Sequence, residues 1–502
     1  MFTLKVFLEN HRSFFQRIFF LFCLMVFLCY LYFSSSFIYP FSIEFGEGLV
    51  VYLSQQFADS FSFHALYSPL AVEPYVANPY PPLYFIISAP FVRLINFSPF
   101  IIVRLISILF LIGAALVIYC ILDIINVNKS LSIAGALLFL LSSNISSWGH
   151  LARVDIMALF FSLLSFFYLL RQKNHFCLTF ALLAIFTKPT FLSVWLICFF
   201  SLIFLERLNM RKILQIALVN LGIGLFMFIG LDIITGGSFV ENVISANLLR
   251  YSFESVFNNF LFFIITWPGI LFIFLLFFIF FFYSDWKSYL RIANHKIIFW
   301  YFILSLVLNL ILSGKAGSSY NFLLEPHAIF LLLVMSLLLF VWQKRKSSSL
   351  LFWGTLVFVA ASVVVSLFYG SILTWQLIRA TPYNSTVFVD SIGLEAILTS
   401  RQGDYLSDNP DFAFLAKSGQ RFFMVDSFLF STLAKIGKWD SKPIIAKIAD
   451  KEFKAILLDN TEIEDKINDP FYERLPQEVL LEIKENYKLH LTMANKFFYL
   501  PN

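Results

Sequence analysis

Carboxylates are scarce in the first 379 residues of this 502-residue chain, which hold 13 Asp and Glu. Two of them, Glu44 and Glu47, stand three apart in Ile43-Glu44-Phe45-Gly46-Glu47-Gly48, just past an apolar run that ends near Phe33. In a helix the i, i+3 spacing puts both on one face, where either could take a proton from a single reacting group. A solvated loop start is the ordinary explanation of the same pair. Other polar residues punctuate the apolar runs that follow. They are Tyr80 in Asn78-Pro79-Tyr80-Pro81-Pro82-Leu83-Tyr84, His150, Arg153 and Asp155 in His150-Leu151-Ala152-Arg153-Val154-Asp155, Lys188 before Pro189, Arg250, and Lys315, Asn321 and Glu325 around Gly314-Lys315-Ala316-Gly317-Ser318. Moving a group from a lipid-phosphate donor to a hydroxyl acceptor needs that inventory: a carboxylate for the acceptor's proton and cations for the departing phosphate.

Membrane-spanning helices have to position these residues. The chain is 59% hydrophobic, has a mean hydropathy of +0.81, and carries 66 Phe against 13% charged residues, so lipid must solvate most of it. Apolar runs fall at about 14–34, 99–122, 131–147, 155–170, 176–187, 190–205, 213–234, 258–283, 297–313, 320–342 and 350–374. Lys188-Pro189 divides 176–205 into a tight helical hairpin. Lys5, Arg12 and Arg17 precede the first run, which reads as a retained signal anchor. With the N-terminus inside, 15 of the 22 basic residues before residue 380 fall on the inner side, as the positive-inside rule expects. That holds only if 83–97, with Pro90 and Arg93 inside it, lies in the interface or re-enters rather than crossing. The expectation is about 11 transmembrane helices, a cytoplasmic N-terminus, a long first outer loop over about 34–99, and every candidate residue on one face.

Residues 380–502 differ in kind. They carry 18 acidic and 14 basic residues, against 13 and 22 before them, which marks a boundary near Thr381-Pro382. Short β-like runs (Thr386–Asp390, Phe422–Asp426, Ala455–Leu458, Phe497–Leu500) alternate with helix-like stretches (Asp411–Lys417, Ser441–Asp450). This predicts a small extracytoplasmic α/β domain, suited to acceptor binding or structural support. The five cysteines all lie in apolar runs without metal-ligand spacing and read as core residues. The basic balance reflects membrane topology, and no nucleic-acid partner is implied.

In order and sidedness these motifs resemble a family. An acidic motif follows span one, Tyr-Pro-Pro-Leu-Tyr enters a surface helix, and Arg153-Val154-Asp155 opens a span. Thr187-Lys188-Pro189-Thr190 and Gly-Lys-x-Gly-Ser with Asn321 and Leu324-Glu325 come next, with Leu406-Ser407-Asp408 and Gly437-Lys438-Trp439-Asp440 in the tail. The chain is similar to the GT-C membrane glycosyltransferases, specifically the glycosyltransferase family 39-like bacterial relatives of dolichyl-phosphate-mannose protein mannosyltransferases and lipid A aminoarabinose transferases. The resemblance covers most of the chain. It implies an inverting transfer of a hexose or pentose from a polyprenyl-phosphate sugar to a lipid, glycan or protein acceptor, at the outer face of the inner (plasma) membrane. It also implies a first-loop carboxylate as general base: Glu47, in the family-like Glu-Gly step, is favoured, with Glu44 the other candidate. Asp155 is the second catalytic acid; Tyr80, Arg153, Lys188, Arg250, Lys315, Asn321 and Glu325 are substrate-binding.

Each of these residues also has an ordinary explanation. Asp155 could pair with Arg153 or cap its span, Lys188 could snorkel, Lys315 and Arg250 could be loop charges, and Asn321 and Glu325 could cap and pack a helix. His150 reads as a satisfied interfacial histidine, and Tyr80 and Tyr84 fit an aromatic belt as well as a sugar platform. No cofactor is implied. A metal-dependent enzyme would want Asp-x-Asp, absent from the outer loops, though a divalent metal stays open. The rival from another class is a transporter or flippase of lipid-linked sugars, which inverted repeats and mid-bilayer charges would favour; no repeat is visible and the charges gather at one interface.

Overall fold

The structure, a computed structural model, describes residues 35–127, 129–204, 210–265, 283–344, 385–418, 420–469 and 471–502. The expected first span at 14–34, the second half of the run at 258–283, the run at 350–374 and the boundary at Thr381-Pro382 lie outside the described residues.

Helices dominate the first 344 residues: α1 Phe45–Ser60, α2 Leu83–Leu94, α3 Pro99–Ile124, α4 Lys129–Leu141, α5 Asp155–Leu170, α6 Asn174–Ile185, α7 Leu192–Phe204, α8 Met210–Ile234, α9 Phe253–Ile265, α10 Ala293–Leu312 and α11 Leu324–Lys344. Among the described residues, four helical stretches are long and apolar enough to cross a membrane: Pro99–Ile124, Leu214–Ile234, Ala293–Leu312 and Tyr320–Phe340. The stretch within α11 sits at the centre of the bundle, with Ala328, Ile329, Phe330, Leu332 and Leu333 fully covered. In contrast, α8 presents Leu218, Phe226 and Ile233 outward, an apolar face that lipid would cover.

The 12 residues of α2 rise only about 18 Å, too short for a hydrocarbon core of roughly 30 Å, in keeping with an interfacial or re-entrant 83–97. It lies against α1 through the Ser54–Ser88 hydroxyl pair (3.0 Å). Tyr84 is buried on α3, its hydroxyl donating to the Val103 carbonyl and pairing with Ser107, so it is packing and no platform. The run at 131–147 is not one span. It breaks at Ser142 between α4 and a short helix Ser143–Trp148, because Ser and Asn side chains compete for backbone partners and Asn144 turns instead to the Tyr320 carbonyl and His327. Lys188 does sit at the turn between α6 and α7.

The C-terminal region forms a five-stranded mixed sheet, with β1 Gly403–Ser407, β2 Gln420–Phe422, β3 Ala455–Asp459, β4 Tyr487–Met493 and β5 Lys496–Pro501 in the order β2-β1-β3-β5-β4. β1 runs parallel to both β2 and β3; β5 is antiparallel to β3 and forms a hairpin with β4. Every residue of β3 is buried, as a central strand covered on both faces requires. The expected strand Thr386–Asp390 is instead the start of a helix, α12 Ser385–Thr399. Its β-branched residues suggested a strand, but Ser391, Leu394 and Leu398 recur at helical spacing and are the buried ones. Asp411–Lys417 falls within a 3-10 helix, Pro410–Ser418, which packs on α1, with Phe41 against Phe412 and Phe414.

Candidate functional site

Helix α1 begins at Phe45, so Glu44 is not inside it. Glu44 is the N-cap, accepting from the Gly46 amide at 3.0 Å, while Glu47 reaches back to the Glu44 amide. The i, i+3 spacing is therefore a capping box, and it sends the two carboxylates to different places. Glu47 is fully buried. Its Oε1 accepts from Arg104 Nε (2.8 Å) and the Ala152 amide (2.7 Å), and its Oε2 from Arg104 (2.6 Å) and the Ile43 amide (2.7 Å). Burial works to raise its pKa, but the Arg104 guanidinium and these donors outweigh it and hold the carboxyl below the ordinary range. Arg104 is itself sealed inside α3 and also donates to the Tyr39 and Phe41 carbonyls.

Glu44 keeps 32% of its side chain exposed and faces Arg153 at 3.1 Å. Burial lifts its pKa above the ordinary range even with Arg153 beside it. Arg153 lies across the helix start so closely that a Cβ on Gly46 would collide with its guanidinium. It also donates to the Tyr80 hydroxyl (3.2 Å), approaches Asp155 (3.6 Å) and stacks on Trp148. Asp155, at the first turn of α5, accepts from Lys188 at 2.5 Å and from Asn321 at 2.9 Å. One continuous cluster thus joins Glu44, Tyr80, Arg153, Asp155, Lys188 and Asn321. It is under-satisfied: Arg153 Nε, Asp155 Oδ2 and Asn321 Oδ1 are buried without a hydrogen-bond partner. Arg153 Nε and Asp155 Oδ2 face each other as an ion pair too long for a hydrogen bond, and Asn321 Oδ1 has no donor, so the cluster keeps hydrogen-bonding capacity that a ligand could use.

Lys315 donates to Asn247 at 2.6 Å, and Asn247 donates to the Pro79 carbonyl, which ties the Asn247 and Lys315 segments to the Tyr80 segment. Burial, with Lys188 nearby, pushes the Lys315 ammonium down to about 8. Two predicted residues stay apart from the cluster. The Arg250 side chain is exposed, and among the described residues its carbonyl accepts from the Ala316 amide. Glu325 bonds instead to Ser162, Tyr301, Asn309 and Ser193, joining α5, α7, α10 and α11. His150 is buried, with Nδ1 against the Ser146 carbonyl, and is pushed down to about 4 by burial. Among the described residues, no three His, Cys, Asp or Glu side chains converge as a metal-holding group. Arg104 was missed in the sequence, although a lone arginine inside an apolar run is itself a signal.

Next to Glu44 lies a cavity of about 280 Å³ between residues 39–45 and the C-terminal sheet, lined in part by Ser42, Glu44, Asp411, Asp459, Arg474 and Lys496.

No family model and no curated protein matches the chain. Solved structures do. The chain is similar to ArnT from Cupriavidus metallidurans in the apo state (TM-score 0.60, 12% identity, 97% of this chain and 98% of that one) and to the same protein bound to undecaprenyl phosphate (0.56, 12%, 95% and 97%). It is also similar to the Archaeoglobus fulgidus oligosaccharyltransferase (0.54, 10%, 96% of this chain and 74% of that one). The fold is the GT-C fold of polytopic membrane proteins.

Proposed function

We propose that the chain is a membrane glycosyltransferase that moves a sugar from a polyprenyl-phosphate carrier to a hydroxyl of a lipid, glycan or protein acceptor at the outer membrane face, with inversion and with Glu44 as the general base. The observation that carries this reading is the open carboxylate of Glu44 set beside a cationic frame of Arg153, Lys188 and Lys315. The likeness to folds solved with undecaprenyl phosphate and dolichol phosphate bound supports it. In this scheme the carrier phosphate rests on the cations and accepts from Arg153 Nε, a buried donor with no hydrogen-bond partner. The acceptor oxygen, approaching from the side of the 280 Å³ cavity, attacks the anomeric carbon opposite the phosphate. As that bond forms, the bond to the carrier breaks and its electron pair leaves on the phosphate. The acceptor proton passes to Glu44. Glu47 positions the helix start; all its lone-pair directions are taken. The scheme calls on no cofactor, since protein cations carry the charge. About 11 spans, an inner N-terminus and an outer C-terminal domain complete the proposal.

The test is sugar transfer in proteoliposomes from polyprenyl-phosphate sugars. Glu44→Gln folds and loses transfer, because an amide cannot accept the proton. Wild-type turnover in that variant overturns the assignment. Comparing envelope glycolipids and glycoproteins with and without the protein identifies the acceptor.

A further inference from the structure

The C-terminal sheet region reaches the membrane-side cluster at one place. Beyond β2, the backbone of residues 423–425 pairs with Tyr75 of the first outer loop: the Tyr75 amide donates to the Phe423 carbonyl (2.8 Å) and the Val425 amide to the Tyr75 carbonyl (3.0 Å). The next residue is Asp426, the N-cap of α13 Ser427–Lys435. Phe428 then packs on Gly317, whose φ of +74 and lack of a side chain let the ring sit against the Lys315 loop. Lys438 reaches the Ser245 carbonyl from the same side. Two independent anchors, on Tyr75 and on Gly317, hold Asp426 between the Tyr80 segment and the Lys315 loop.

Its Oδ1 is committed, accepting from the Leu429 amide at 3.1 Å. Its Oδ2 has neither a hydrogen-bond nor an ion-pair partner among the described residues. The charged and titratable groups that act on it electrostatically are Arg153, Lys315 and Glu44, and it acts in turn on the Tyr80 phenol. We propose that Asp426 is a sugar-binding residue of this site, supplied by the C-terminal region, whose Oδ2 accepts a hydroxyl of the sugar being transferred. The inference rests on the transferase reading above. A sugar held between the phosphate-binding cations and the base must lie between Lys315 and Glu44, the two groups Asp426 feels together. A carboxylate there repels the carrier phosphate and attracts hydroxyls, so it distinguishes a loaded carrier from an empty one. Burial raises its pKa to about 6, so it is largely ionised at neutral pH.

The experiment compares binding of undecaprenyl phosphate with binding of undecaprenyl-phosphate-linked glucose and mannose, for wild type, Asp426→Ser and Asp426→Asn. Serine keeps a helix cap but has no second carboxylate oxygen, so a purely structural role is rescued by it. In Asp426→Ser, preference for the loaded over the empty carrier falls about tenfold or more, the scale of losing one hydrogen bond to a charged acceptor, and the melting temperature holds. In wild type that preference strengthens as pH rises through about 6; in Asp426→Ser this step disappears. An unchanged preference in the serine variant overturns the role of Asp426 alone. Wild-type protein that binds none of these carriers overturns the transferase reading and this inference with it.

Discussion

Glu44 and Glu47 are the same residue type three positions apart, each facing an arginine, and their surroundings differ in kind. Around Glu47 everything is closed: both oxygens are filled by Arg104 and two amides, and neither ion reaches solvent. Around Glu44 the pair with Arg153 is half open, and its neighbours include buried atoms with no partner. The closed pair holds α1 on α3; the open one is available to a ligand. Full satisfaction of a buried ion pair is thus a sign of structure, and incomplete satisfaction beside a cavity a sign of chemistry.

The largest expected effect separates the two on activity. Glu44→Gln lowers transfer by a factor of about 10²–10⁴, the usual contribution of a positioned general base, with thermal stability close to wild type. Glu47→Gln does the reverse. It leaves Arg104 buried without a counter-charge, which costs about 3–5 kcal/mol, so the melting temperature in detergent and the yield both fall. Equal stability loss in the two variants would remove the distinction.

Gly46→Ala sharpens it with a smaller change. The new Cβ displaces only the far end of Arg153, so the fold survives while the arginine leaves Glu44 and Tyr80. Transfer falls about tenfold with little change in melting. Proton linkage gives the pair opposite signs. The Glu47 pKa is lowered in the folded state, so its contribution is present above the unfolded carboxylate pKa and is lost as pH falls through the lowered value. The Glu44 pKa is raised, so the folded form binds its proton more tightly, and stability declines as pH rises from the ordinary carboxylate value through the raised one. Melting curves of Glu44→Gln and Glu47→Gln against wild type between about pH 3 and 7 read each sign by difference.

Much of the helical frame was legible in the sequence because apolar runs and their punctuation obey local rules. Pro189 after Lys188 marks a hairpin, and Pro90 falls inside a helix of only 12 residues. Likewise Arg153, Asp155, Lys188 and Asn321 stand out as polar residues where lipid tolerates few, and they meet. Partnership was harder to read. Nothing in Ile43–Gly48 says that Arg104 reaches back to Glu47, since that depends on how α1 crosses α3, and Glu at the N-cap departs from the usual Ser or Thr of a capping box. Asp426 is one of 18 acidic residues in the tail, and it is set apart by the pairing of residues 423–425 with Tyr75 and the packing of Phe428 on Gly317. Residues 386–390 look like a strand because β-branched side chains dominate a window too short to show helical periodicity.

The smallest effect tests the open side of the comparison from its edge. Arg250 and Lys315 are neighbouring basic residues, bridged through Tyr251 and Lys315 and through the Ala316 amide on the Arg250 carbonyl. The bridge uses backbone alone, so truncating Arg250 leaves it intact. Its side chain is exposed, whereas the Lys315 side chain is half-buried and its ammonium is held on Asn247. Arg250→Ala therefore changes undecaprenyl phosphate affinity by less than about twofold, as for a surface substitution. Lys315→Ala weakens it by about tenfold or more, through loss of a charged donor to the phosphate. A tenfold loss in Arg250→Ala would mean that the arginine swings onto the carrier when it binds, and the cationic frame would then extend beyond the residues the cluster holds together.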